Sequence, residues 1–331
     1  GWATAGMALG AKSIIIRDVN PVELVALIGK HRITHGFLVP ALLQFMLMVP
    51  DVDKADYSSL ELIAYGASPI SEEVLAASMK TFKTNFMQVY GLTETTGATT
   101  ILMPEEHDLT GPKRKLLRSC GKIVPGMTLR VVDSETGNDM PVGEVGEIWV
   151  KGGQVMKGYW KKPEETANVL RDGWLYTGDI GKMDENGYFY ITDRMKDIII
   201  TAGGKNITPS ELENELKISP YITDAVVIGD RKPYLVSIIM IDQENVEKFA
   251  QDADVPFSNY ASLTRAAEVQ ALIQAELDRV NRRFARVEQI KKFFLLDTQL
   301  SAEDEELTPT MKLKRKLIET KYAAQIEAMY R

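Results

Sequence analysis

The segment Thr84-Asn-Phe-Met-Gln-Val-Tyr-Gly-Leu-Thr-Glu94 joins a short β-rich run to a glycine-containing loop with hydroxyl groups and a carboxylate. A similar run, Leu60 to Tyr65, ends in the loop Gly66-Ala67-Ser68-Pro69, and the stretch Glu72 to Thr81 between the two runs is typical of a helix. This alternation predicts an α/β sheet. Because loops that follow the strands of such sheets carry the chemistry, both loops are candidate site segments.

Apolar periodicity extends the pattern toward the N-terminus. Residues 21–32 have apolar side chains at helical spacing, and Gly36 to Val39 is typical of a short buried strand. The longest apolar stretch, Phe37 to Pro50, is about half as long as a membrane span and contains Pro40 and Gln44. We therefore expect a buried core segment here and no transmembrane helix.

From about residue 121 to residue 195 the sequence becomes β-rich. Strands are predicted at Thr128–Asp133 and Glu147–Lys151, a turn at Gly137-Asn138, and a hairpin at Asp184-Glu-Asn-Gly187. The pattern indicates a small barrel or an open β-subdomain. Together with the preceding α/β sheet it predicts the later part of a large domain, over residues 1–195.

A separate small α+β domain is predicted for residues 196–331. It begins with Ile198-Ile-Ile200, a glycine turn and a helix that starts at Pro209-Ser210, and it continues with paired strands near residues 225–229 and 235–241. Apolar residues at three- or four-residue spacing then predict one long amphipathic helix. These residues are Val269, Ile273, Leu277, Val280, Phe284 and Val287.

Composition limits the classes of function. The 331 residues exceed a typical domain of roughly 100 to 200 residues, which supports at least two cores. A net charge of -7 argues against nucleic acid as the main partner. Cys120 is the single cysteine, so an intramolecular disulfide is excluded and a reducing compartment, by default the cytoplasm, is expected. Peripheral membrane contact and the oligomeric state stay open.

Two of the loops carry groups that suit a nucleotide. In Tyr90-Gly91-Leu92-Thr93-Glu94 the aromatic ring offers a face for a base, the threonine can donate to a phosphate oxygen, and the glutamate is a hard oxygen ligand for Mg²⁺. A plain loop with a helix cap explains these residues equally well. In Tyr176-Thr-Gly-Asp179 the carboxylate can accept hydrogen bonds from ribose hydroxyls, or it can serve only as a turn residue.

Three basic segments follow in the second half of the chain. Arg194 can reach ribose or phosphate, with a solvated linker as the alternative. Gly203-Gly204-Lys205 is not a Walker phosphate loop, because Ile199 and Asn206 stand where that pattern requires Gly and Ser or Thr. In Leu307-Thr-Pro-Thr-Met-Lys312 a loop lysine can stabilise charge on a reacting carboxylate and phosphate, although a basic helix start explains it too.

The order of these segments is more specific than any one of them. Gly-Ala-Ser-Pro, Tyr-Gly-Leu-Thr-Glu, Tyr-Thr-Gly-Asp, Asp-Arg-Met-Lys-Asp and Pro-Thr-Met-Lys follow one another, a succession that resembles the adenylate-forming superfamily. The stretches 201–206 and 307–312 are most similar to its long-chain fatty acyl-CoA synthetases. The resemblance implies that a fatty acid is activated with ATP and Mg²⁺ as acyl-AMP and then transferred to CoA as co-substrate.

The resemblance also implies roles for individual residues. Tyr90 stacks on the adenine, Thr93 contacts phosphate and Glu94 binds the magnesium. Lys196 is the hinge between the large and small domains, and Lys312 is the catalytic lysine of adenylation. After rotation of the small domain, Gly203 and Gly204 reach the CoA channel. The implied nucleotide-binding residues are Gly66, Ala67, Ser68, Tyr90, Gly91, Thr93, Asp179 and Arg194.

The sequence departs from the family pattern at two places. Met311 stands where the family usually has Gly, which leaves a choice between Lys312 and Lys314; Lys312 is favoured because Arg315 follows it at the family's spacing. The family's Ser/Thr/Gly-rich phosphate loop lies upstream of the residues present here. We therefore expect an N-terminally truncated chain that is inactive or very weak in adenylation by itself.

Other functions are compatible with the same residues. One is an adenylation domain for another carboxylic acid, such as an amino acid destined for a carrier protein. A second is a non-catalytic fragment that only binds a nucleotide or acyl-CoA. Acid identity and chain length are not determined, because ordinary core packing explains the candidate tunnel residues Val39, Leu43, Met46 and Tyr65.

Overall fold

The computed structural model describes residues 2–17, 19–68, 70–298, 300, 304–307 and 313–331. It divides into two compact units, Gly1–Met195 and Lys196–Arg331. Separate clusters of buried apolar side chains lie within each unit.

The first part of the first unit contains four helices and a five-stranded sheet. The helices are α1 (Trp2–Ala8), α2 (Pro21–His31), α3 (Pro40–Leu47) and α4 (Glu72–Phe82). The strands are β1 (His35–Leu38), β2 (Leu62–Gly66), β3 (Asn85–Leu92), β4 (Gly97–Leu102) and β5 (Lys122–Ile123). They lie in the order β1-β2-β3-β4-β5, with β1, β2 and β3 parallel and the other two pairings antiparallel. The predicted α/β class is thus confirmed.

Local sequence explains where two of these helices begin. The Asn20 side chain accepts hydrogen bonds from the backbone of Val22 and Glu23 at the start of α2, and Ser71 accepts one from Val74 at the start of α4. Both helices turn apolar residues inward. Leu43, Met46 and Tyr65, considered as tunnel walls, are almost fully buried among the side chains of this core.

The second part of the first unit is an open antiparallel sheet. Its strands are β6 (Met127–Val132), β7 (Gly146–Gly152), β8 (Leu170–Arg171), β9 (Trp174–Met183) and β10 (Phe189–Arg194), with α5 (Pro163–Val169) before β8. They lie in the order β10-β9-β7-β6, and β8 pairs with β9. The predicted hairpin at Asp184–Gly187 is confirmed: the Asp184 amide donates to the Tyr188 carbonyl (2.9 Å) and the Gly187 amide to the Asp184 carbonyl (3.0 Å).

The second unit surrounds a three-stranded sheet. Its strands are β11 (Ile199–Ile200), β12 (Asn206–Ile207), β13 (Ile222–Ile228), β14 (Leu235–Ile241) and β15 (Ile290–Leu295), of which the last three form the sheet β13-β14-β15. Its helices are α6 (Pro209–Leu216), α7 (Gln243–Asp252), α8 (Tyr260–Arg265), α9 (Ala267–Asn281), α10 (Arg315–Lys321) and α11 (Ala323–Tyr330).

Strand β14 contributes side chains to two hydrophobic cores. Every residue of this strand is buried, and alternate side chains point to opposite faces of a strand. Leu235, Ile239 and Ile241 join a core with α9, whereas Val236 and Ile238 join a second core with α10 and α11. Helices therefore cover both faces of the sheet.

One predicted helix is too long. Helix α9 ends at Asn281, so Phe284 and Val287 lie beyond it, and the Val287 side chain is exposed. The Asn281 side chain explains the end: its amide donates to the Ile290 carbonyl and its oxygen accepts from the Ile290 amide, both at 2.9 Å. These bonds connect the end of the helix to the start of β15. Apolar residues continue at helical spacing beyond Asn281, so the spacing alone predicted a helix that is longer than α9.

Candidate functional site

Close backbone approaches shape the loops after β2 and β3. A Cβ on Gly66 would lie 2.1 Å from the Val89 carbonyl oxygen, and one on Gly91 would lie 1.9 Å from the Gly97 carbonyl oxygen. Only glycine permits such distances. Ala67, directly after β2, has a positive φ of 65° and is exposed, and Ser68 beside it is half-buried.

After β3 the chain makes one 3-10 turn, Thr93–Thr95, before it returns in β4. The buried Thr95 hydroxyl holds this turn: it accepts from the Leu92 amide at 2.9 Å and lies 3.0 Å from the Leu92 carbonyl and 2.8 Å from the Gly97 carbonyl. Thr93 is exposed at the start of the turn. The loop is thus internally braced, with its first threonine accessible to a ligand.

Three residues predicted from separate motifs lie together. The Tyr90 hydroxyl donates to Asp179 Oδ2 at 2.7 Å, and Arg194 Nε lies 3.2 Å from Asp179 Oδ1. They come from β3, β9 and β10, so sheet packing assembles them. The Asp179 side chain is only 5% exposed, whereas that of Arg194 is 55% exposed. The Asp179 carboxylate is thus buried and hydrogen-bonded to Tyr90, beside a half-exposed guanidinium.

Burial dominates the electrostatics of this cluster. It raises the pKa of the Asp179 carboxyl above its ordinary value, and the hydrogen bond from Tyr90 and the charge of Arg194 oppose the rise. The pKa of the Tyr90 phenol is raised well above its ordinary value by burial and then by the Asp179 charge. The carboxylate is thus held by one neutral donor and one half-exposed cation.

Glu94 has a partner that the sequence did not indicate. The Tyr159 hydroxyl donates to Glu94 Oε1 at 2.8 Å, and the Met156 amide donates to the Glu94 carbonyl at 2.7 Å. The Thr96 hydroxyl also donates to the Gln154 carbonyl at 2.8 Å. Residues 154–159 therefore lie along the loop after β3. Neither charge nor spacing marked Tyr159 as a candidate.

Glu94 is the candidate protein ligand for Mg²⁺ in this loop. No group of three or more His, Cys, Asp or Glu that could hold a metal occurs within the described ranges. Magnesium in nucleotide enzymes is commonly bound through one or two carboxylates together with substrate phosphates. Glu94, next to the exposed Thr93, fits such a site because the remaining ligands would come from the nucleotide and water.

The predicted hinge and CoA-channel residues lie in the second unit. Lys196 is exposed in a 3-10 turn, Met195–Asp197. Gly203 and Gly204 are exposed in the turn between β11 and β12, where the Gly204 amide donates to the Thr201 carbonyl at 2.8 Å. Gly204 has a φ of +77°, which explains the glycine.

The favoured catalytic lysine, Lys312, lies outside the described residues, as do Thr308 to Met311. Leu307 and Leu313, on either side of this segment, pair in an antiparallel bridge. The alternative, Lys314, is described: its amide donates to the Glu306 carbonyl at 2.7 Å and its Nζ to the Glu305 carbonyl at 2.8 Å. The Lys314 side chain is thus engaged with its own loop.

Arg315, the residue that marks the spacing from Lys312, is anchored in the second unit. Its guanidinium lies 2.6 Å from Glu213 and 3.8 Å from Asp197, and it also donates to the Val227 carbonyl. Burial raises the pKa of the Glu213 carboxyl, against the opposing charge of Arg315. The chain after the lysine loop is therefore connected to α6 and β13.

In the part of the chain that the structure describes, none of the helices has both the length and the apolar character needed to cross a membrane.

The amino-acid sequence matches a known family of enzymes over most of its length. Residues 1–160 match the family described as AMP-binding enzyme, and residues 196–331 match the AMP-binding enzyme C-terminal domain. The chain belongs to the AMP-binding, adenylate-forming enzymes.

Fatty-acid ligases are among its relatives. The long-chain-fatty-acid–CoA ligase FadD15 of Mycobacterium bovis is 39% identical over 242 residues, which are 73% of this chain and 37% of that protein. The fatty acid–[acyl-carrier-protein] ligase ScoC of Streptomyces coeruleorubidus is 40% identical over 228 residues, 69% of this chain and 43% of that protein. The chain thus spans less than half the length of either relative.

Solved structures share the architecture. The ATP-bound structure of MatB from Rhodopseudomonas palustris aligns with a TM-score of 0.73 and 25% identity, and the alignment covers 97% of this chain and 57% of that one. The architecture extends across both units of the chain.

Proposed function

We propose that this chain is part of an enzyme that uses ATP to convert a fatty acid into acyl-AMP and transfers the acyl group to CoA. The observation that carries the proposal is the cluster of Tyr90, Asp179 and Arg194, because three motifs far apart in sequence meet at one carboxylate. Family membership and fatty-acid ligases as relatives support the substrate class.

In this proposal the nucleotide occupies the loops after β2 and β3. Gly66, Ala67 and Ser68 line the adenine and acyl site, and Asp179 binds the ribose hydroxyls with Arg194 beside it. Tyr90 presents its ring to the base. Because the Tyr90 hydroxyl already donates to Asp179, the same bond holds the carboxylate ready for a diol.

Phosphate and metal binding are assigned to the turn after β3. Thr93 and the backbone at Gly91 contact the phosphates, and Glu94 is the protein ligand of Mg²⁺. When bound, magnesium would neutralise phosphate charge during adenylation. The Tyr159 hydroxyl limits rotation of the Glu94 carboxylate, since it donates to one of the two oxygens.

The remaining roles are assigned to residues within 196–331. Lys312 is the adenylation lysine, since Lys314 is engaged with the Glu305 carbonyl. Lys196 is the hinge, and Gly203 and Gly204 line the CoA channel. Removal of the lysine amine should slow adenylation more than thiol transfer, because the charge that it stabilises develops on the carboxylate and α-phosphate.

Half-reaction assays on the longest gene product that contains this chain test the proposal. With a fatty acid and Mg²⁺-ATP, wild type should exchange pyrophosphate into ATP. Lys312→Ala should suppress this exchange by about 10²-fold or more but largely spare transfer from supplied acyl-AMP. Lys314→Ala is the matched control and should retain exchange. Absence of acid-dependent exchange in wild type would contradict adenylation.

One observation supports an acyl-carrier protein as a second candidate acceptor of the acyl group: the chain is 40% identical to a fatty acid–[acyl-carrier-protein] ligase. An acyl-carrier protein and CoA both present a thiol, so the adenylation half-reaction would be unchanged. Parallel transfer assays with CoA and with a phosphopantetheinylated carrier protein separate the two. We expect faster transfer to CoA, and a preference for the carrier would reassign the acceptor. A panel of acids from short to very long in the same assay defines the acyl chain.

A further inference from the structure

The segment that carries Asp179 is a bulge between β7 and β9. Glu147 is paired with Ile180 and Trp149 with Tyr176, so a two-residue step on β7 faces a four-residue step on β9. Three residues of β9, Thr177 to Asp179, thus lie opposite the single residue Ile148 of β7, so they cannot all form ladder hydrogen bonds with β7. The Gly178 and Asp179 amides therefore need partners other than β7.

Side chains supply those partners. Glu147 Oε1 accepts from the Gly178 amide at 3.0 Å. The Thr177 hydroxyl donates to the Ile148 carbonyl at 2.6 Å and accepts from the Asp179 amide at 3.0 Å. Gly178 has a φ of +68°, a conformation that favours glycine, and in this conformation its amide donates to Glu147.

The second oxygen of Glu147 is also occupied. Trp149 Nε1 donates to Glu147 Oε2 at 2.7 Å, and the Glu147 residue is only 5% exposed. The indole itself is held, since its ring stacks on Tyr176 at 3.9 Å between centroids and the Arg130 guanidinium lies 5.6 Å from its ring. One oxygen of the Glu147 carboxylate thus accepts from the held indole, and the other accepts from the Gly178 amide in the bulge.

The chemistry of these contacts selects a carboxylate at position 147. Both neighbours are N–H donors, so both oxygens of the side chain must accept. A glutamine of the same size has only one acceptor and would turn an NH₂ group toward either the indole or the Gly178 amide. A buried donor would then be left without its hydrogen bond.

We propose that Glu147 is a positioning residue for recognition of the ribose diol of the adenylate. It acts through Gly178 and fixes the bulge that presents Asp179. The inference rests on the proposed role of Asp179 as the ribose ligand. It predicts that loss of the Glu147 contact weakens binding that depends on the two ribose hydroxyls, rather than nucleotide binding in general.

The experiment compares AMP with 2′,3′-dideoxy-AMP by calorimetric titration of the longest gene product that contains this chain. Wild type should bind AMP more tightly than the dideoxy analogue. Glu147→Gln should lower the affinity for AMP by about five- to tenfold and leave that for the analogue nearly unchanged. Glu144→Gln, at an exposed position before β7, is the matched control and should behave as wild type.

A second variant supplies a rescue. Trp149→Phe removes the indole donor but keeps an aromatic ring against Tyr176. In that background Glu147→Gln can direct its oxygen to Gly178 and its NH₂ group toward the space that the indole N–H occupied. The double variant should therefore discriminate AMP from the analogue as well as Trp149→Phe alone does. A merely structural role for Glu147 would not produce this pattern.

The outcomes separate the inference from the function on which it rests. Equal binding of both nucleotides by wild type would reject Asp179 as the ribose ligand. Discrimination by wild type with equal loss for both nucleotides in Glu147→Gln, or a folded double variant without rescue, would overturn the positioning role alone. If neither Glu147→Gln protein folds, Glu147 serves the fold and the positioning role is likewise overturned.

Discussion

At the residue scale, the burial of Asp179 has a cost in stability that can be weighed against its proposed role in ribose binding. Its carboxyl is buried and its pKa is raised, so the folded protein holds this proton to a higher pH than the unfolded chain does. Stability from this group is therefore gained as the pH falls through the folded-state pKa and is absent at pH values well above it. Above that pKa the buried carboxylate is ionised at a cost to the fold.

Asp179→Asn should separate the two effects. Because the change removes a buried charge, we expect the thermal midpoint without nucleotide to stay equal or rise at neutral pH. The upward shift of the midpoint on addition of AMP should be largely lost, since binding to the folded state is what raises it. Thermal unfolding of both proteins with and without AMP measures this.

The same substitution should alter the pH dependence of AMP affinity. In wild type the affinity should fall as the pH is lowered through the raised pKa of Asp179, because the protonated carboxyl is a poorer acceptor for two hydroxyls. Asp179→Asn should lack this acidic limb. An identical acidic limb in both proteins would assign the titration to another group.

At the element scale, the loop after β3 depends on how closely β3 and β4 approach. A Cβ on Gly91 would overlap the Gly97 carbonyl oxygen, whereas a Cβ on Gly36 in β1 would meet no atom within 4 Å. Both glycines lie in strands of one sheet, and neither has a positive φ. They therefore form a pair of strand glycines that differ in the space available for a Cβ.

Gly91→Ala should lower the free energy of unfolding by about 1 to 3 kcal/mol, since the two strands must separate to admit the methyl group. Gly36→Ala should be neutral or slightly stabilising, because it only restricts the unfolded chain. Urea unfolding of both variants gives the comparison. Similar midpoints for the two variants would show that the strands separate without cost.

A second element-scale prediction concerns the end of α9. Asn281→Ala removes two hydrogen bonds to Ile290, whose side chain is buried. With about 1 kcal/mol for each bond, we expect a loss of about 2 kcal/mol in the unfolding free energy. Exposed Lys291→Ala on the adjacent strand is the control and should change stability by about 0.5 kcal/mol or less. A smaller loss in Asn281→Ala than in this control would contradict the role of Asn281.

At the scale of the whole molecule, residues 196–331 contain two cores that share one central strand. The two faces of β14 contribute to both cores, and the other buried members of these clusters also belong to the same unit. A segment with its own buried cores can fold alone.

We expect residues 196–331, produced by themselves, to unfold cooperatively in urea. Ile238→Ala, at a fully buried position of β14, should lower the unfolding free energy by about 2 to 5 kcal/mol. Val287→Ala, at an exposed position after α9, should change it little. A gradual, non-cooperative transition of the unsubstituted segment would contradict independent folding.

The sequence by itself determined the α/β class and the family, because both depend on local signals. Strand-length apolar runs, helix caps such as Asn20 and Ser71, and turn glycines act over a few residues. The order of the motifs along the chain predicted the adenylate-forming family, which the comparisons confirm. The predicted length of α9 was wrong, since its end depends on Ile290, nine positions beyond Asn281 in sequence.

Only the tertiary structure decided which polar groups meet. The Tyr90–Asp179, Glu94–Tyr159 and Gly178–Glu147 hydrogen bonds join residues separated by 89, 65 and 31 positions. Such partners are set by strand register and by a bulge, which composition and periodicity do not encode locally. The individual site roles, including that of Lys312, stay predictions. The hydrogen bonds at Asp179 and Glu147 have one physical reason: a buried carboxylate must be satisfied by donors that the fold brings to it.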